Sequence, residues 1–169
     1  MSNTNFDDLF FYQVVKVKKH FFNTELKLSN FFFDITSIFP GCVIRIKNFI
    51  FFFVKPEDYY AAKLGLNKLR YLLKEKKILI IREETTLIKL VFSFFEDVYI
   101  HDVLLIERTT GAVIDIMQLF KKDRAVALGI DSANIKTINY IFRNSISFNY
   151  PFNKMDRSPV ELRCSLTNV

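Results

Sequence analysis

The chain has 169 residues, 50% of them hydrophobic, which suffices for one ordinary domain or for two small ones sharing an interface. A net charge of +6 favours a polyanionic partner, and it serves solubility equally well. The longest apolar runs, Phe49–Val54 and Leu90–Phe95, fall far short of the roughly 18 residues of a membrane span, so no membrane partner is expected.

The N-terminus carries Asp7 and Asp8 and shows no basic start, apolar core or small-residue cleavage site. It reads as neither signal nor transit peptide, and the expectation is a protein made in the compartment where it works. Residues 1–27 form an N-terminal arm. Within it Phe10–Phe22 alternates like a strand at Val15 and Val17, with Lys16, Lys18 and Lys19 between and around them. A basic nucleic-acid arm and an edge strand guarded by lysines are the two readings of it.

Leu28–Phe39 reads as a short amphipathic helix capped by Ser29 or Asn30, with Phe31, Ile35, Ile38 and Phe39 on one face. Pro40-Gly41 stops it. Cys42–Ile46 and Phe49–Val54 then form a hairpin around Lys47-Asn48. Tyr59–Lys74 is helical in composition, with Leu64, Leu66, Leu69, Leu72 and Leu73 mostly on one side and a turn at Gly65. Ile78–Arg82 is an apolar strand that closes this unit, 28–83.

A second unit, 84–150, repeats the order. Glu83 to Thr86 caps a helix, Leu87–Phe95; Val98–Glu107 and Ala112–Phe120 are strands joined by a turn at Thr109-Thr110-Gly111. A short helix, Asp123–Leu128, a turn, Gly129–Ser132, and a longer helix, Ala133–Phe142, follow. Ile146–Phe148 closes the unit, and residues 151–169 read as a flexible polar tail. Two α-β-β-α-α-β units in succession predict an α+β protein, each unit a three-stranded sheet with helices packed on one face.

Asp123–Lys136, DRAVALGIDSANIK, is similar without a gap to the second KH domain of NusA-type transcription factors, where the pattern is roughly D-R-A-x-A-I-G-K-G-G-x-N-I-K. Asp123, Arg124, Ala125, Ala127, Gly129, Asn134, Ile135 and Lys136 keep that pattern. GCVIRIKNFIFFFVKPEDYYAAK and LNKLRYLLKEKKILII resemble the first KH domain, so the resemblance covers about residues 28–150 and fits a short form with two KH-like units of type II. It implies a non-enzymatic protein that holds single-stranded RNA in a backbone clamp and modulates transcription termination or antitermination near RNA polymerase. Two departures bear on this: the family's G-K-G-G is Gly129-Ile130-Asp131-Ser132 here, and the first loop is shortened to Ala62-Lys63-Leu64-Gly65. An aspartate in the clamp repels phosphate, and a glycine there lets the backbone N–H groups approach it. The alternative is a degenerate KH scaffold, a structural protein of a ribosome or polymerase assembly.

On this reading the RNA-binding residues are Lys63, Gly65, Lys68, Arg70 and Lys74 in the first unit, with Lys76 and Lys77 adjoining. In the second they are Arg124, Gly129, Ile130, Asp131, Ser132, Asn134 and Lys136, with Arg143 extending the set. Tyr59 and Tyr60 are candidates for base stacking, while Phe51, Phe53, Phe92 and Phe95 belong to the core. Glu83/Glu84 and Glu96/Asp97 are paired carboxylates explained by helix capping. Cys42 and Cys164 read as free thiols, and His20 and His101 have no partner at metal spacing. No catalytic constellation, cofactor or small-molecule substrate is expected. The chain has 20 Phe, no Trp and four Gly, the signature of AT-rich codons. That composition points to a plastid or chloroplast genome, or to the cytoplasm of an AT-rich microbe.

Overall fold

The computed structural model describes residues 4–108, 111–148 and 160–167. The chain is α+β and divides into two units, one of residues 17–84 and one built from residues 1–16 together with 85–169. The expected turn at Thr109-Thr110 and the stretch 151–159 of the expected tail lie outside the described residues.

The unit of residues 17–84 begins with a helix, α2 (Asn23–Thr36), which follows a helix of the other unit, α1 (Thr4–Phe11), and a strand at the division, β1 (Val15–Val17). Two strands follow, β2 (Cys42–Ile46) and β3 (Phe49–Val54), then a 3-10 turn at Pro56–Asp58, α3 (Tyr59–Lys63), α4 (Leu66–Leu72) and β4 (Lys77–Arg82). β2 and β3 are antiparallel, from Cys42 opposite Phe53 to Ile46 opposite Phe49. Their two-residue turn puts Lys47 at a φ of 53°, a left-handed conformation that costs a side-chain-bearing residue about 1–2 kcal/mol. β3 and β4 run parallel, Phe49 opposite Lys77 and Val54 opposite Arg82. A parallel pair needs a long crossover, which α3 and α4 supply.

The core lies between this sheet and its helices. Phe32, Val43, Ile50, Phe52, Tyr59, Ala62, Leu69 and Ile78 pack together there, and Phe32 stacks on Phe52 with ring centroids 4.5 Å apart. Fully burying a side chain such as Phe32 contributes about 1.5–3 kcal/mol. α2 starts earlier than the expected Leu28–Phe39, because Asn23–Lys27 continues the helix without a side-chain cap, with Glu25 in the first turn facing the dipole favourably. It ends at Ser37, whose left-handed N–H donates to the Phe33 carbonyl at 2.7 Å. Phe39 therefore leaves the helix and stacks, exposed, on Phe33 with centroids 4.1 Å apart; Phe32 takes the buried place instead. On the α3–α4 segment the buried face is Tyr59, Ala62 and Leu69, flanked by half-buried Leu66 and Leu73. Leu64 and Leu72, expected on that face, are exposed.

The other unit contains α1 and then α5 (Leu87–Ser93), β5 (Asp102–Arg108), β6 (Gly111–Gln118), α6 (Lys121–Leu128), a 3-10 turn at Ile130–Ser132, α7 (Ala133–Asn144), β7 (Ile146–Phe148) and β8 (Val160–Leu166). α1 takes the first residues of the strand-like stretch expected at Phe10–Phe22, whereas the alternation of Val15 and Val17 does mark β1. β5 and β6 are antiparallel. The third strand of their sheet is β8, parallel to β6 with Ala112 opposite Val160 and Gln118 opposite Leu166. This corrects two expectations. Ile146–Phe148 is a strand but pairs with β1, and the supposed tail contributes a full strand. The reason is the period of two in Val160–Leu166: Val160, Leu162 and Cys164 are buried, Glu161 and Arg163 exposed.

Three smaller expectations also change. Thr86, not the glutamates, is the N-cap of α5, and Glu84 pairs with Arg82 at 3.6 Å. Glu96 and Asp97 follow that helix and cap no N-terminus. Phe51, Phe53 and Phe95 are core residues as expected, but Phe92 is exposed.

Candidate nucleic-acid interface

The first loop joins α3 to α4 at Leu64-Gly65. Gly65 is right-handed, with φ −88° and ψ −3°, so no left-handed turn explains the glycine. Its role is close approach: an added Cβ would stand 2.9 Å from Thr36 Cγ2 and 3.3 Å from Ile35 Cγ2 on α2. Gly65 thus sets how tightly the loop seats on α2.

Lys63, Lys68, Arg70 and Lys74 are all exposed, and among the described residues none forms an ion pair. Arg70 also donates from Nη2 to the Ile78 carbonyl at 3.3 Å, which anchors it beside β4. Burial, and then the Arg70 charge, lower the pKa of Lys77 below the usual lysine value, as expected where cations crowd. Several cations lie against rings: Lys74 Nζ is 4.7 Å from the Tyr71 centroid, Lys63 Nζ 5.7 Å from Tyr59, and Lys77 Nζ 5.3 Å from Phe49. Of the two expected stacking residues, Tyr59 is buried in the core with Arg82 Cζ 5.3 Å from its centroid. Tyr60 is exposed, with its ring edge-on to that of Tyr59 at 5.3 Å between centroids.

The second loop is built differently. Gly129 has φ 76°, followed by two left-handed residues without glycine's freedom, Asp131 (φ 53°) and Ser132 (φ 59°). Ser132 N–H donates to the Gly129 carbonyl at 3.1 Å, and Ser132 is the N-cap of α7 without a side-chain capping bond. A Cβ on Gly129 would meet Asn134 Cγ at 2.7 Å and its backbone nitrogen at 3.0 Å. Asn134 Nδ2 in turn donates to the Val126 carbonyl at 3.0 Å, tying the loop to the end of α6.

Two of the expected cations of this unit are engaged internally, while Arg143 is exposed. Lys136 Nζ donates to the Asp131 carbonyl at 3.2 Å, and Arg124 Nε donates to the Cys164 carbonyl on β8 at 3.3 Å. Asn139 holds the same strand from α7, donating to the Leu162 carbonyl at 3.0 Å and accepting from its N–H at 2.7 Å. Together these bonds satisfy backbone groups of β8 that face away from β6. At the loop tip Ile130 is 88% exposed.

The structure therefore gathers Lys63, Lys68, Arg70 and Lys74 along one helical segment, and Gly129, Ile130, Asp131, Ser132, Asn134 and Lys136 around one loop. Arg124 it assigns to holding β8. Tyr71, exposed beside Lys74, was missed by sequence reasoning; the spacing of the buried face along α3 and α4 would have found it. No described helix is long and apolar enough to cross a membrane.

No family model and no curated protein matches this chain. Among solved structures, the crystal structure of APE1850 is similar at a TM-score of 0.57, covering 87% of this chain and 100% of that one at 21% identity. That likeness shows a shared α+β fold.

Proposed function

We propose that the chain is a non-enzymatic RNA-binding protein with two KH-like units of type II, similar to NusA, that modulates transcription termination or antitermination by holding nascent RNA near RNA polymerase. One observation carries this reading: the exposed cations Lys63, Lys68 and Arg70 on α3 and α4 and Lys74 just after α4, none of which forms an ion pair among the described residues. Lysines and arginines tracking a phosphate backbone supply most of the affinity of such proteins and its salt dependence. The order helix, strand, strand, helix, helix, strand from α2 to β4 supports the KH-like reading, and α5 to β8 follows the same order with β7 inserted before the last strand. The composition supports a plastid or an AT-rich microbe as the source. Crosslinking in cells, with identification of RNA and protein partners, tests it; recovery of nascent transcripts together with polymerase subunits is the expected result, and recovery of neither refutes it.

A second reading rests on the second loop. Lys136 and Arg124 are engaged internally there and Ile130 stands where the clamp would carry a cation, which favours a scaffold that docks on a ribosome or polymerase subunit. Co-purification with such an assembly and no affinity for single-stranded RNA at low salt would select it.

A further inference from the structure

Along Tyr59 to Leu73 the inward residues are Tyr59, Ala62, Leu66, Leu69 and Leu73, a spacing of three and four that continues through the break at Gly65. Leu64 and Gly65 both keep right-handed helical angles, so the outward register continues as well. That outward side carries Tyr60 (71% exposed), Leu64 (88%) and Tyr71 (67%). Lys63, Lys68 and Lys74 stand between and beyond them, and the Lys74 ammonium lies over the Tyr71 ring. The carboxylates nearest in sequence are Glu57 and Asp58 before α3, and Glu75 after α4.

Two exposed tyrosines on one helical face are not explained by packing, since Tyr59 and Leu69 already fill the core beneath them. Exposed rings interleaved with lysines that form no ion pair among the described residues match the chemistry of an unstacked base next to its phosphate: each base offers a π-face, and each phosphate a charge. We propose that this face is a stacking surface for unpaired bases of a single-stranded RNA, with Tyr60 and Tyr71 beneath two bases and Lys63, Lys68 and Lys74 on the intervening phosphates. The occupant is single-stranded because a duplex hides the base faces that the tyrosines would meet. The inference rests on the RNA-binding reading above and adds to it a site for bases outside the two loops.

The test uses the full chain and a short single-stranded RNA carrying one 2-aminopurine, whose fluorescence is quenched when the base stacks. Quenching on binding is expected, together with a loss of affinity of about five-fold or more for each of Tyr60→Ala and Tyr71→Ala. Tyr60→Phe and Tyr71→Phe should retain binding, and the salt dependence should be unchanged in all four variants because no charge is altered. Both side chains are exposed, so thermal midpoints should match the wild type. If the alanine variants bind as the wild type does, the stacking surface is overturned and RNA binding through the cations survives. If the wild type binds no RNA at low salt, the functional reading falls and takes this inference with it.

Discussion

Neutralising Lys63, Lys68 and Arg70 together gives the sharpest test of the cationic segment. Each is exposed and without an ion pair among the described residues, so each is free to release one counterion when it meets a phosphate. For single-stranded nucleic acid the slope of log affinity against log salt is about −0.7 for each phosphate neutralised, so the triple variant Lys63→Gln, Lys68→Gln, Arg70→Gln should flatten the slope by about 2. Between 50 and 200 mM salt, a slope of that size is worth roughly 18-fold in affinity, which the variant should no longer lose. Arg70 also donates to the Ile78 carbonyl, so removing it should cost about 1 kcal/mol of stability. A denaturation curve on each protein separates that cost from binding. Filter binding of a single-stranded RNA over a salt series reads the slope. A folded variant with unchanged affinity and slope would refute the assignment of these cations to the RNA backbone.

Other expectations concern the fold that holds the loops. Asp115 is buried on β6 and bonds Arg163 Nη2 at 2.9 Å, whereas the Arg163 side chain is 46% exposed. Removing the arginine leaves the buried Asp115 carboxylate without its partner and removing the aspartate leaves no buried charge, so Arg163→Met should destabilise more than Asp115→Asn, measured by urea unfolding; the reverse order would refute this. Gly129→Ala should cost about 2 kcal/mol or more, from its left-handed φ and the collision with Asn134; a smaller cost would mean that the loop relaxes freely. Burial pushes the thiols of Cys42 and Cys164 up to about 11 from 9.0, so neither should react with a thiol reagent at pH 8 until the protein unfolds. The folded state holds these protons more tightly than the unfolded one. Their contribution is therefore complete below pH 9 and lost as pH rises towards 11, which an alkaline unfolding series reads.

Elements with a plain apolar signal were legible in the sequence. β3 and β6 are nearly continuous apolar runs buried on both faces, and the helices on either side of Gly129 follow from periodicity and glycine placement. β8 was not, because Glu161, Arg163 and Ser165 make its stretch look polar, and only their alternation with Val160, Leu162 and Cys164 betrays a strand. α1 was missed because Thr4–Phe11 adjoins a run of valines and lysines whose alternation dominates the window. At the candidate site the cations of the first unit stand exposed where charge and spacing put them. The roles of Gly65, Arg124 and Lys136 depend instead on partners 5 to 40 positions away, a dependence that local pattern does not carry. Tyr59 and Tyr60 are adjacent and identical, yet one is core and the other surface; helical phase alone decides it.

The unit built from residues 1–16 and 85–169 has an unusual birth order. On the ribosome the first of its segments emerges, and the whole of residues 17–84 must be made before Thr85 and Thr86 arrive to meet Val14 and Val15. At about 5–20 residues per second that interval is roughly 3–14 s. During it the N-terminal segment has no native partner, while Phe32 and its neighbours are already free to close their own core. β6 waits longer, until Val160–Leu166 has left the exit tunnel. The edge it leaves open, bearing buried Val113, Ile114 and Ile116, is a template for a second nascent chain. This protein should therefore form its aggregates during synthesis rather than from the finished state, and slowing translation after residue 118 should increase them.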